Sequence, residues 1–155
     1  MQKAKLIYDI KFDEWVMSYP KRWHETRSLF YDALELENKE EKKAILIYKQ
    51  LLNELHNCDL DSYTHYGTFL KQKKRIYEGK SLISRAYVLA LNAIPADYYD
   101  KPGKIIWAHI DNRPLLRTFH FAGLDFEEDG FYKQAERLYK FIAVLNKLEI
   151  AFLDR

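Results

Sequence analysis

Residues 116–149, LRTFHFAGLDFEEDGFYKQAERLYKFIAVLNKLE, decide how this chain is read. They read as two antiparallel helices. In the first, Phe119, Ala122, Gly123 and Phe126 run large, small, small, large, which gives the helix one flat face where a partner helix can approach Gly123 closely. Asp129-Gly130 then supplies a turn, since glycine takes a positive φ at little cost. In the second helix Ala135, Tyr139 and Ile142 stand at i, i+4 and i+7 and share a face.

Working outward, Tyr63, Tyr66, Gly67 and Leu70 repeat the large, small, large spacing. After a break at Glu78-Gly79, the step Ile83-x3-Tyr87 and the run from Ala90 to Pro95 repeat the second half. Gly67 and Ile83 are sixteen apart against twelve for Gly123 and Ala135, an excess of about one helical turn. Residues 41–55 form a clear amphipathic helix with Ala44, Tyr48, Leu51, Leu52 and Leu55 on one stripe. Residues 23–37, holding Arg27, Leu29, Phe30, Ala33, Leu34 and Leu36, read as the helix before it, with Asn38-Lys39-Glu40 as the break. Asn57, Asp59 and Asp61 are capping residues in the next break. Residues 1–22 read as a short helix or extended arm ending at Tyr19-Pro20, with Trp15 and Trp23 closing one end of the core. Between the last two pairs, Asp97 to Gly103 is turn chemistry, and Ile105, Ile106, Trp107 and Ile110 form an apolar cluster expected to bury itself. Pro114 suits a first helical turn.

The spacing in residues 116–149 follows W-x2-L-G-x2-Y and then A-x3-F, so the stretch resembles a tetratricopeptide repeat. Ala44-x3-Tyr48 matches the second half of such a repeat, while Asp32-Ala33 departs from the first half. The run from Trp107 through Asn112-Arg113-Pro114-Leu115-Leu116-Arg117 also resembles the start of the final repeat in tetratricopeptide proteins of the suppression of tumorigenicity type. It departs at Asn146-Lys147-Leu148-Glu149, where those proteins continue Asn-Pro-Asn-Asp-Asn. The resemblance implies an all-α fold, antiparallel helix pairs stacked as a short solenoid. The pairs would be residues 23–57, 59–95 and 114–149, with 1–22 as a capping segment, 96–113 as a connector and 150–155 as a tail or last helical turn.

Composition agrees with one globular domain. The chain has 155 residues, 48% of them hydrophobic, and a formal net charge of only +2, without the electrostatic footprint of a typical nucleic-acid binder. A single cysteine, Cys58, allows no internal disulfide, and no apolar run approaches a membrane span. The expectation is a soluble cytoplasmic protein, off the membrane and with no cofactor. Twelve tyrosines suit helix seams or a groove.

Several clusters invite chemistry. Five histidines suggest a metal, but there is no HExxH, no CxxC and no second cysteine, so no metal site is expected. Arg113-x6-His120 resembles the Arg-x4-6-His motif of HEPN ribonucleases, in which Arg stabilises phosphate charge and His moves a proton; Pro114 departs from it. Lys71, Lys73, Lys74, Arg75 and Lys80 form the one basic cluster, a nucleic-acid surface or a solvated helix face. Asp125, Glu127, Glu128 and Asp129 read as an exposed helix end. No phosphate loop or serine-nucleophile motif is present.

The expected function, carried by the resemblance, is a non-enzymatic interaction module or adaptor that holds a peptide or protein segment in the concave groove; a homodimer closing the ends of the array is the variant of this reading. Helical phase places Thr64, Thr68, Lys71 and Gln72 from the middle pair and Arg117, His120, Leu124, Glu127 and Glu128 from the last pair in that groove. The family's carboxylate clamp uses Lys and Asn where Thr64, Thr68, His120 and Leu124 stand, so a clamp is not expected.

Overall fold

A computed structural model of the chain describes residues 3–100 and 104–145. The described chain is mostly helical, with one two-stranded sheet: β1 (Lys5–Asp9), β2 (Glu14–Ser18), α1 (Lys21–Glu25), α2 (Arg27–Leu36), α3 (Glu41–Leu55), α4 (Leu60–Gln72), α5 (Ile76–Ala93), α6 (Arg113–Glu128) and α7 (Tyr132–Leu145). Short 3₁₀ turns at Ala96–Tyr98 and Ile110–Asn112 punctuate the connector.

The N-terminal segment is a hairpin rather than a helix or arm. The strands pair antiparallel from Lys5 with Ser18 to Asp9 with Glu14. Alternation explains it: Ala4 and Leu6 point inward from one side, Trp15 and Met17 from the other, and all four are buried. The turn is closed by Asp9, whose carboxylate accepts from the Lys11 amide at 2.9 Å, and by Asp13 at φ 55°. Behind it, the Trp15 amide donates to the Lys104 carbonyl at 2.7 Å. Asn112 extends the sheet with its side chain, accepting from the Met17 amide at 2.8 Å and donating to the Trp15 carbonyl at 3.1 Å.

The helix read over 23–37 breaks at Thr26, whose hydroxyl lies 3.0 and 3.1 Å from the carbonyls of Arg22 and Trp23, leaving α1 and α2. α3 has the expected bounds and stripe, and Tyr48 stacks on Tyr66 of α4 at 5.1 Å. Asp59 caps α4 through the Ser62 amide at 3.1 Å.

The break expected at Glu78-Gly79 lies earlier, at Lys73 to Arg75, where Lys74 takes φ 66° and the Arg75 amide donates to the Leu70 carbonyl at 2.9 Å. Gly79 sits inside α5 against Gly67. A Cβ on Gly67 would stand 2.7 Å from the Gly79 carbonyl oxygen, so both glycines are needed for this approach. Gly67 and Gly79 are therefore the counterparts of Gly123 and Ala135, twelve residues apart in both pairs, and the inferred extra turn disappears. Gly123 instead makes room for a side chain, since a Cβ there would stand 2.6 Å from the Tyr139 ring.

α2 packs on α3, α4 on α5 and α6 on α7; α4 also packs on α3 and α6, and α5 on α6. One continuous apolar cluster runs from Leu6 and Trp15 through Tyr66 and Phe119 to Leu138. Of the connector cluster, Ile105 is fully buried and Trp107 half-buried, but Ile110 is 67% exposed, against expectation. Its place at the start of a 3₁₀ turn leaves its side chain outside the core. Turn residues 101–103 and the end 146–155, including the Asn146 departure and the tail, lie outside the described residues.

Candidate binding site

The first helices of the three pairs, α2, α4 and α6, meet around Asp61. This carboxylate is 2% exposed and would be costly there alone. Arg27 from α2 reaches its Oδ2 at 2.8 Å, and Arg117 from α6 holds its Oδ1. The Arg27 guanidinium lies 4.2 Å from the Trp23 ring and 4.1 Å from the Phe30 ring, an arrangement that suits a planar, weakly hydrated cation. Asp59 lies behind. It accepts from the Ser62 amide and hydroxyl and from the Trp23 indole at 3.2 Å, and burial raises its pKa.

These groups border a cavity of about 410 Å³. Its lining includes Trp23, Phe30, Tyr31 and Leu34 from α1 and α2, Ile110, Asp111, Arg113 and Pro114 from the entry to α6, and His24 and His65. Burial, aided by Arg117 and Arg27 and opposed by Asp61, pulls His65 down to about 4, so its ring is neutral at pH 7. Arg113 donates from Nε to the Trp107 carbonyl at 3.1 Å, and its guanidinium lies 5.8 Å from that residue's ring. Among the described residues no carboxylate lies within 4 Å of Arg113. Nη1 of Arg27 is buried without a hydrogen-bond acceptor, and lies 4.0 Å from an Asp59 carboxylate oxygen. The Tyr19 hydroxyl, on a ring stacked 4.0 Å from Trp23, is likewise buried and unpartnered. Both of these atoms are closed off from solvent; of the guanidiniums lining the cavity, Arg113 is the one without a carboxylate partner among the described residues.

The nine residues assigned to a groove separate. Thr64 is fully buried, its hydroxyl 3.0 Å from that of Thr118, so it fastens α4 to α6 and faces no groove. The direction that helical phase leaves open for Thr64 is occupied by α6. Thr68 is half-buried and donates to the Thr64 carbonyl at 2.9 Å. Lys71 is held by Asp125 and lies 3.0 Å from Glu128, which also meets Lys80 at 3.3 Å. Gln72 is exposed at the end of α4 and Leu124 half-buried. Glu127 accepts from the Tyr139 hydroxyl at 3.0 Å. His120 is exposed, its ring 6.2 Å from that of Tyr139. Of the nine, Arg117 alone lines the cavity.

Two rival readings find little geometry. Arg113 borders the cavity and His120 does not, seven residues of helix setting their backbones roughly 10 Å apart. The basic cluster is largely neutralised: Lys71 and Lys80 pair as above, Lys73 meets Glu41 at 3.0 Å and Arg75 meets Glu78 at 2.6 Å. Among the described residues no group of three or more His, Cys, Asp and Glu could hold a metal, and no helix is long and apolar enough to cross a membrane. Burial pushes the Cys58 thiol up to about 11, which leaves it a poor nucleophile.

The sequence reading missed Trp23, Arg27 and Asp61 as site residues. Asp61 carries a signal in hindsight: a second acid close to a capping acid needs its own cation, and Arg27 and Arg117 were available. No known protein family, curated protein or solved structure matches the chain.

Proposed function

We propose that the chain is an interaction module of tetratricopeptide type that takes a peptide or protein segment on the face of α2, α4 and α6. The observation that carries this reading is the cavity at which those three helices converge, walled by Trp23, Phe30 and Tyr31. Rigid aromatic anchors beside a buried polar group are what concentrated binding energy requires. The equal twelve-residue step from Gly67 to Gly79 and from Gly123 to Ala135 supports the repeat character. Tyr31 and Ile110, 56% and 67% exposed at the cavity mouth, are the side chains a segment would cover first.

The test is hydrogen exchange on the whole chain with and without a partner recovered by affinity capture and identified by mass spectrometry. The expected result is protection in 27–34, 61–65 and 110–117, lost in a Tyr31→Ala/Ile110→Ala variant that keeps its helical circular dichroism. Protection confined to another face, or capture unchanged by the variant, removes this reading.

A further inference from the structure

We infer that the cavity is built for a peptide carrying an acidic side chain, with Arg113 as the residue that meets its carboxylate. The inference rests on the interaction-module reading and adds the chemistry of the ligand.

Three guanidiniums, Arg27, Arg113 and Arg117, face the cavity with two carboxylates, Asp61 and Asp111. Both oxygens of Asp61 are taken, one by Arg27 and one by Arg117. That leaves Arg113 with its Nε on a backbone carbonyl and its terminal nitrogens without a carboxylate among the described residues. A guanidinium whose Nε is fixed in this way presents its outer edge in one orientation, which suits a two-point contact with a planar carboxylate. The Trp107 ring, 5.8 Å from the guanidinium, adds a cation-π contact. Neutral His65 adds no competing charge.

Charge decides between anions. One carboxylate matches the one guanidinium in excess at the cavity surface. A phosphorylated side chain carries nearly two charges at pH 7 and would bring both toward Asp61 and Asp111, with Asp59 behind them. Like charges at such range oppose binding. The apolar mouth at Tyr31 and Ile110 calls for an aromatic or aliphatic neighbour beside the acid.

A displayed library of random peptides, panned on the full chain, tests this and requires no identified partner. The expected consensus is Asp or Glu beside a large apolar residue. In synthetic versions read by fluorescence anisotropy, Glu→Gln in the peptide should weaken binding roughly 30-fold, as should Arg113→Gln in the protein, and the two losses should not add. The peptide-side change leaves the protein untouched, so a folding defect in Arg113→Gln cannot imitate the result. Peptides that need Tyr31 but no acid overturn the inference and leave the interaction reading standing. Tighter binding of phosphoserine than of glutamate overturns the choice of carboxylate. If no peptide is enriched, the interaction reading falls, and the inference with it.

Discussion

α4 and α6 are joined by ion pairs at both ends, and the two ends differ. At the first, Asp61 is 2% exposed and shared by Arg27 and Arg117; at the second, Lys71 is shared by Asp125 and Glu128, with Lys80 and Asp129 continuing the chain of charges outward. Between them Thr64 and Thr118 meet hydroxyl to hydroxyl. The second end alternates in sign and uses its partners up. The first is walled by aromatic rings, keeps Arg113 in reserve and leaves the Arg27 Nη1 without an acceptor. The same pairing chemistry thus serves as a clasp at one end and as the floor of a cavity at the other. What separates them is whether the donors exceed the acceptors and whether a volume is left beside them.

The comparison is broken most sharply by Asp61→Asn. It leaves two guanidiniums in a buried place without their carboxylate, and a loss on the order of 3 kcal/mol in urea unfolding is expected. A loss below about 1 kcal/mol would mean the two ends are energetically alike. The next effect is a pH dependence that His65 gives the first end. The folded pKa of His65 is depressed to about 4, so between there and its unfolded value near 6.5 the unfolded chain binds the extra proton. Stability is complete above that unfolded value and declines as pH falls toward 4, by roughly 2 kcal/mol after allowance for partial solvent access. His65→Gln should flatten this segment of the profile, and an unchanged slope would assign it elsewhere. The smallest effect belongs to the second end. Lys71→Met should cost about 1 kcal/mol at pH 7, because Glu128 is exposed and keeps Lys80. Burial already raises the Asp125 pKa, and removing its cation raises it further, so the folded state then favours the protonated acid and the deficit should shrink at pH 4 in the same unfolding assay.

Much of the helical framework was legible because its signals are local. Gly67, Gly123 and the stripe of α3 each declare a face within a few residues, and Asp59 declares a cap. The hairpin was harder. Its alternation is present in Leu6, Tyr8, Trp15 and Met17, but the turn from Asp9 to Asp13 has no glycine, and two five-residue strands can also be read as one short amphipathic stretch. Gly79 misled for the opposite reason: a glycine taken as a break is there to let two helices touch. The site was the least legible part. Arg27, Asp61 and Arg113 lie on three elements, and only the docking of α2, α4 and α6 brings them together. Helical phase gives Thr64 a direction but contains no information that a neighbouring helix would cover it.

Asn112 ties the hairpin to the last third of the chain. Its side chain holds the Met17 amide and the Trp15 carbonyl across separations of 95 and 97 residues, beside the His109 to Glu14 contact of 2.7 Å and the Trp15 to Lys104 bond. The hairpin thus draws these fastenings from the segment that leads into α6, not from the three helices that follow it in sequence. A nascent chain that has not yet reached Lys104 leaves the Met17 and Trp15 amides without these acceptors, so the hairpin is synthesised well before the residues that secure it.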